Sequence, residues 1–485
     1  MPFSDLPLDI IREVLVRCDI HAVLMVSRVS KGLRRLTRGK QLWLGLLADL
    51  DRRGILDLLP DEDLRTFSTY QLIRKVRSIV DGPRSWAPNA RTPMRVKGEV
   101  HIPIEIPTAQ SALPVRLLAG GRFMGFQTER SGAYELWDLF AAKMVWKSPE
   151  PEGDAPLIVN MVGDCGSATI VLASPAATGT SHVTVLRYAA NTGEFTTLFD
   201  ENLPVLVDRG YTHIPTSRHC VFCIQIAREF QVAIVDYVHG TWALLHRPRT
   251  RLQTLALVDG YPHENGYLVL ATACDRFLHP DDLLTLEVHR LSNLEWVPVS
   301  CSSVLPESHN LLPAFSYTTY APHSRALSLS VLPHPLHHDT YRLTLETGGA
   351  MQNHPTLPDY ISTSCLGRRV ASAFDAELIC VPWTWTFDFA PKRGGLSPPR
   401  RSWLQKDFQA EVSWAGYSVL GGDVVDTWTR GVWYAQRRVE TRGWARSESQ
   451  TGQAPNEAIP VYALAPFSCA IFSAGPKGLR VEYFQ

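Results

Sequence analysis

Two hydrophobic periods divide the chain. Over roughly the first 80 residues, apolar positions recur every three to four residues, the spacing that builds one face of an α-helix. Ile10, Ile11, Val14 and Leu15 form the first such face. Pro7 suits the opening turn, where its missing N–H costs nothing. Asp19 predicts the N-cap of a second helix that starts at Ile20. Val23 and Leu24 begin its apolar face, and Val29, Leu33 and Leu36 continue at helical spacing. Leu42, Trp43, Leu46, Leu47 and Leu50 make a third patch, while Lys31, Arg34, Arg35 and Arg38 take the complementary side. Short helices of this kind bury little on their own. Their apolar faces therefore need a cover, either a partner or the rest of the chain.

Residues 83–115 change character. Pro83, Pro88, Pro93, Pro103, Pro107 and Pro114 mark a linker, with one strand predicted over Glu99–Ile106. Beyond it the pattern becomes strand, turn, strand, turn, strand. Residues 122–148 and 219–245 are the clearest copies, with Trp137-Asp138 and Val235-Asp236 at matching places. Further anchors fall at Leu186, Val288, Leu343, Phe387 and Glu482. The first four intervals between anchors are about 50 residues, the length of one β-propeller blade. A large β-sandwich or two packed β-domains is the competing reading. No Gly-His dipeptide opens the units and Trp-Asp occurs once, so a WD-repeat-like ring without the usual WD hydrogen-bond network is expected. Six to eight irregular blades are predicted, seven preferred. The C-terminal strands would close the ring by meeting a strand before Leu118.

Composition narrows the function. The 485 residues carry 48 basic and 48 acidic side chains, so no net field favours nucleic acid or an acidic membrane. Residues 1–80 hold 14 basic and 10 acidic groups, too mild an excess for a basic arm. The N-terminus lacks the basic and apolar regions of a secretory signal. Nine scattered cysteines suggest reduced thiols in the cytoplasm or nucleus. With 34 prolines, 32 glycines and 13 tryptophans, the bulk of the chain suits short strands and punctuated turns.

The run from Leu6 to Trp43, LPLDIIREVLVRCDIHAVLMVSRVSKGLRRLTRGKQLW, resembles the F-box motif without a gap. It has the opening Leu-Pro, an apolar-rich first helix, the Val-Ser-x-Val-x-Lys segment and the closing Leu-Trp. One departure is Gly32-Leu33, where many F-boxes carry a basic residue followed by Trp; Gly32 weakens its helix by roughly 1 kcal/mol. The segment that follows, through Ser85-Trp86, looks like the extension of F-box proteins in mushroom-forming fungi. The resemblance implies an adaptor without cofactor, metal or catalytic residue. It would dock the small adaptor subunit of an SCF ubiquitin ligase and, through it, a cullin and a RING subunit. Carried over by position, the adaptor-binding residues would be Leu6, Pro7, Ile10, Val14, Leu15, Val29, Leu33, Leu36, Leu42 and Trp43. Trp43 would be the leading hot spot; some of the ten must instead form the module's own core.

The resulting expectation is an α + β multidomain chain. Residues 1–50 form a small all-α F-box, 51–82 a helical extension, 83–115 the proline-rich linker, and 116–485 a large all-β, propeller-like substrate-binding domain. Its partner there would be an unknown substrate protein, with neither nucleic acid nor membrane involved. A non-degradative scaffold, a peptide- or glycan-binding propeller and, more distantly, a propeller enzyme are the alternatives. No G-x-S-x-G, Walker A or Rossmann glycine motif is present. Cys220 and Cys223 should point to opposite faces of a strand, which disfavours a metal pair. The PHPLHHD segment, with His334, His337, His338 and Asp339, reads as a solvent-exposed loop before it reads as a metal site. Trp383, Trp385, Phe387 and Phe389 alternate in β-register and read as packing between blades before they read as a binding surface. Residues 390–402, with Ser397-Pro398 among Lys392, Arg393, Arg400 and Arg401, and residues 446–458 read as exposed loops.

Overall fold

The structure is a computed structural model. It describes residues 6–56, 62–81, 96–102, 116–118, 121–127, 133–149, 158–163, 166–176, 179–207, 218–226, 229–246, 251–258, 266–273, 283–300, 312–320, 324–352, 378–393, 395–397, 400–403, 461–464, 470–475 and 478–484. Ser85-Trp86 and residues 446–458 lie outside these.

α2 and α3 begin where a side chain satisfies one of the first backbone N–H groups. α1 (Leu8–Arg17) starts directly after Pro7. α2 (Ile20–Val29) is capped by Asp19, whose Oδ1 accepts the Ala22 N–H at 2.6 Å. Ser30 ends α2 and caps α3 (Lys31–Leu36), its hydroxyl accepting the Leu33 N–H at 3.1 Å. The apolar run that the spacing joins from Val23 to Leu36 is therefore broken into two helices at Ser30. α4 (Lys40–Arg52) carries the third apolar patch, and α5 (Thr69–Asp81) packs on it through Leu72, Val76 and Ile79.

β1 (Val96–Ile102) follows, inside the segment expected to be a linker. The remaining strands form successive antiparallel sheets in chain order. The first joins β2 (Arg116–Leu117), β3 (Phe123–Gln127), β4 (Tyr134–Asp138) and β5 (Lys143–Lys147). The second joins β6 (Ile158–Gly163), β7 (Ser167–Pro175), β8 (Ser181–Ala189) and β9 (Glu194–Leu203). The third holds β10 (His219–Ile226), β11 (Glu229–Asp236) and β12 (Thr241–His246). The fourth holds β13 (Arg251–Val258), β14 (Tyr267–Ala273) and β15 (Leu283–Arg290). From β15 the chain steps back: β16 (Val297–Pro298) adds to the outer edge of the third sheet, beside β12. It then returns as β17 (Phe315–Tyr320) to finish the fourth, so neighbouring sheets share a connection.

The fifth sheet joins β18 (Ser324–Pro333), β19 (Tyr341–Gln352) and β20 (Leu378–Ala390), with β21 (Gly395–Leu396) and β22 (Arg400–Trp403) both paired to β20. Residues 390–402 are thus partly strand, not simply an exposed loop. Leu343 and Phe387, read as anchors of two successive units, face each other across this one sheet. The last sheet holds β23 (Val461–Leu464), β24 (Ala470–Gly475) and β25 (Gly478–Phe484), and β1 completes it against β25. The expected closure is therefore made, by a strand from the proline-rich segment.

Adjacent sheets stack face to face, because strands buried on both sides need cover on both sides. Cys220, Phe222 and Ile224 of β10 pack toward Val171, Val183 and Val185 of the second sheet. The alternate residues Val221 and Cys223 pack toward Leu255, Leu257, Leu268 and Leu270 of the fourth. The two cysteines therefore point to opposite faces, as their spacing predicts, and burial pushes the Cys220 thiol strongly up. Similar apolar layers join the first sheet to the second and the fourth to the fifth. Phe387 and Phe389 lie in the latter, with Phe389 edge-on to Tyr267 at 5.0 Å. The side chains of Trp383 and Trp385 lie outside the described residues. Tyr483 joins the last sheet to the first, its hydroxyl donating to Gly121 O at 3.2 Å. Antiparallel sheets, mostly four-stranded, that follow one another in chain order, the last completed by β1, make a propeller-like domain.

The repeat has its own hydrogen-bond signature. In four sheets the residue just after a strand donates back to the residue just before the strand that precedes and pairs with it: Leu139 to Arg122, Ala190 to Gly166, Tyr237 to Arg218 and Leu291 to Gly266. Two of these turns carry an Arg–Asp pair. Arg122 meets Asp138 at 2.8 Å, and Asp138 Oδ1 accepts the Phe140 and Ala141 N–H groups. Arg218 meets Asp236 at 2.6 Å, and Asp236 Oδ1 accepts the Val238 and His239 N–H groups. The matching Trp137-Asp138 and Val235-Asp236 dipeptides thus mark equivalent sites. Both turns end on a left-handed residue, Ala142 (φ 47°) and Gly240 (φ 64°), the first without glycine's freedom.

Burial pushes the Asp236 carboxyl up, but the Arg218 hydrogen bond, the His239 N–H and the charges of His219 and Arg218 outweigh it and hold it below the usual value. A carboxylate so lowered stabilises the fold above its unfolded pKa and loses that contribution as pH falls through the folded one. Asp236→Asn should cost about 1–3 kcal/mol at pH 7. Its deficit against the native chain should shrink below about pH 4, which denaturant unfolding at pH 7 and pH 3 would reveal. An undiminished deficit at pH 3 would refute the charge argument.

Candidate functional site

The helical module divides its apolar residues between a core and a surface. Ile11, Leu15, Ile20, Val23, Leu42, Trp43, Leu46, Leu47 and Leu50 are buried together, with Ile55, Leu56 and the α5 residues. α1 crosses α4 closely: a Cβ on Gly45 would lie 2.8 Å from Val16 Cγ1. Trp43 is 3% exposed, and its indole N–H donates to Thr37 O at 2.7 Å, joining the end of α3 to α4.

Of the ten sequence-derived adaptor residues, Leu15, Leu42 and Trp43 belong to this core. Trp43, read as the leading hot spot, thus has both its ring and its N–H used inside the module. Leu6, Leu33 and Leu36 are half-buried. Pro7, Ile10, Val14 and Val29 face solvent, Val29 at 74% exposure. Leu8, Leu24 and Met25 are also exposed, although the sequence reading assigns none of them to the site. The available signal is α2 itself, IHAVLMVSRV, which is apolar nearly all round and so must meet something on more than one side. α1 and α2 thus keep exposed apolar side chains while the module's own core is complete. Arg28, Lys31, Arg34, Arg35 and Arg38 are exposed beside them.

A different side of the module is covered by the β-domain. The turn between β18 and β19 is the PHPLHHD segment, and it is not solvent-exposed. Leu332 and Leu336 pack against the helical core, and the His21 N–H donates to Leu336 O at 3.1 Å. Arg53, just past α4, donates to the carbonyl oxygens of His334 and His337, the latter at 3.0 Å. His338 Nε2 lies 3.0 Å from Asp49 Oδ2, and Arg53 Nη1 lies 3.5 Å from the same oxygen. His337 Nδ1 lies 3.3 Å from Asp19 Oδ2. Burial, helped by the nearby charge of Arg342, pulls the His334 imidazole down to about 3, so it is neutral at ordinary pH. The ring accepts the Leu336 N–H at 3.1 Å and so shapes the turn. Burial raises the Asp49 carboxyl, but His338, Arg53 and Arg52 together lower it further. Histidine count alone could not find this contact, because its receiving groups, Asp19, Asp49 and Arg53, lie far away in sequence.

This architecture defines a class: a small helical docking module locked to a propeller-like β-domain. Residues 3–45 match the family model of the F-box domain. An F-box domain implies an SCF substrate-adaptor role and binding to a Skp1-type adaptor, and F-box proteins are generally non-catalytic. Comparison with curated protein sequences finds no match. Among solved structures, hydrazine synthase of Kuenenia stuttgartiensis aligns over 78% of this chain and 98% of its own, at 10% identity and TM-score 0.37. The β-propeller domain of Myceliophteria thermophila Cps50 (Swd1) aligns over 77% and 98%, at 10% identity and TM-score 0.31. Kluyveromyces lactis Hsv2 aligns over 62% and 88%, at 9% identity and TM-score 0.28. Likenesses this distant carry no argument of their own; the propeller-like description rests on the sheets.

Proposed function

We propose that this chain is the substrate-receptor subunit of an SCF-type E3 ubiquitin ligase, acting in the cytoplasm or nucleus. The observation that carries the reading is an F-box whose α1 and α2 keep Ile10, Val14, Leu24, Met25 and Val29 exposed while its core is already complete. These side chains suit an adaptor groove. The adaptor would recruit a cullin and its RING subunit, and the β-domain would hold the substrate protein. The chain itself would make no bond; its contribution would be proximity between a charged conjugating enzyme and a substrate lysine. The β18–β19 turn supports this, since a joint fixed by Arg53, Asp49 and Asp19 would set where a bound substrate stands relative to the adaptor.

The test is co-purification with the full chain followed by a ubiquitin-transfer assay. Recovery of adaptor, cullin and RING subunit, with transfer to a co-purifying protein, is the expected result. Adaptor binding without cullin would favour a non-degradative scaffold, and absence of the adaptor would refute the reading. Point variants serve better than deletion of residues 1–80, which would uncover Leu332 and Leu336.

A further inference from the structure

We propose that Asp19, His21 and His337 form a divalent transition-metal site, of the zinc class, that clasps the helical module to the β-domain. The donor atoms of these three residues all lie within 4.8 Å of one another. Two imidazoles and a carboxylate are a donor set that zinc, nickel and cobalt all accept, with water filling the open positions.

The local structure fixes two of the three donors. Asp19 Oδ1 is held by the Ala22 N–H at the start of α2, which leaves Oδ2 directed at His337 Nδ1, 3.3 Å away. The His337 backbone is held in turn, its carbonyl accepting from Arg53 Nη2 at 3.0 Å. Such supporting hydrogen bonds keep ligands oriented before the metal arrives. His21 is the adjustable member. It is exposed, and its ring centre lies 4.8 Å from that of His337 with the planes tilted by 46°. A tetrahedral ion needs donors roughly 3.3 Å apart at ordinary zinc–ligand lengths, so a turn of the His21 side chain would draw the set together. Arg53 does not oppose the ion freely, because Asp49 faces its guanidinium.

The ligands come from both halves of the chain: Asp19 and His21 from the helical module, His337 from the β18–β19 turn. A metal bound there stabilises only the docked arrangement. The metal would therefore stiffen the joint rather than supply chemistry, and this inference does not depend on what the F-box binds.

The test uses the full chain without a histidine tag, stripped with chelator and titrated with zinc chloride. Isothermal titration and elemental analysis after desalting should show one zinc per chain, and the thermal transition should rise. His21→Ala and His337→Ala should each weaken zinc binding by about tenfold or more, whereas His101→Ala, at an exposed position elsewhere, should leave it unchanged. His21→Ala is the decisive variant, because its exposed side chain can be lost without unfolding the module. Absence of zinc binding, or one zinc retained by the His21→Ala/His337→Ala double variant, would overturn the proposal.

Discussion

Replacing Trp43 with alanine is expected to unfold the helical module, not merely to weaken a partner's grip. The indole is buried among Leu42, Leu46 and Leu47 and joins α3 to α4 through its bond to Thr37 O. Truncating a buried tryptophan costs about 3–5 kcal/mol. A small helical module has little more than that to lose. Thermal or denaturant unfolding followed by helical circular dichroism should show the helical signal lost at lower temperature or denaturant concentration. The β-domain transition should be far less affected. A variant with native stability that fails only to bind the adaptor would refute this and make Trp43 part of the adaptor contact.

The converse is expected of Ile10→Asp combined with Val14→Asp. Both side chains face solvent, 49% and 40% exposed, so the native core loses nothing. Ile10 also lies in the first turn of α1, where a carboxylate is favourable to the helix. Stability should stay within roughly 1 kcal/mol of the native chain. Adaptor affinity should fall by about 100-fold or more, the loss typical of a central apolar contact replaced by a charge. Titration calorimetry with purified adaptor would measure it. Unchanged affinity would move the interface off α1, leaving α2 with Leu24, Met25 and Val29 as the surface to examine. Together the two variants separate residues that build the module from residues that it displays.

Much of the architecture is legible from local pattern. The helical faces and the opposite facing of Cys220 and Cys223 follow from periods of 3.6 and 2, the Asp19 cap from its residue type, and the paired Trp137-Asp138 and Val235-Asp236 sites from the longer repeat of the strand units. Local pattern also misplaces some elements. Ser30 breaks a helix that apolar spacing alone would continue, because its hydroxyl caps α3. Leu343 and Phe387 read as two units because a long segment separates them, yet β19 and β20 pair them directly. The step of β16 back to the third sheet leaves no periodic signal, since two residues suffice to make that edge.

By itself, then, the sequence determined the kinds of element, their order and the resemblance that points to an F-box. A residue's period states which side of its element it occupies, and that is a local property. Only the tertiary structure decided what covers each side. It sent Leu15, Leu42 and Trp43 inward while leaving Ile10, Val14 and Val29 outside. It also turned a histidine-rich segment that reads as exposed into the joint between module and β-domain. The reason is physical: burial of the His334–His338 turn depends on Asp19, Asp49 and Arg53, and only the folded chain brings those groups together.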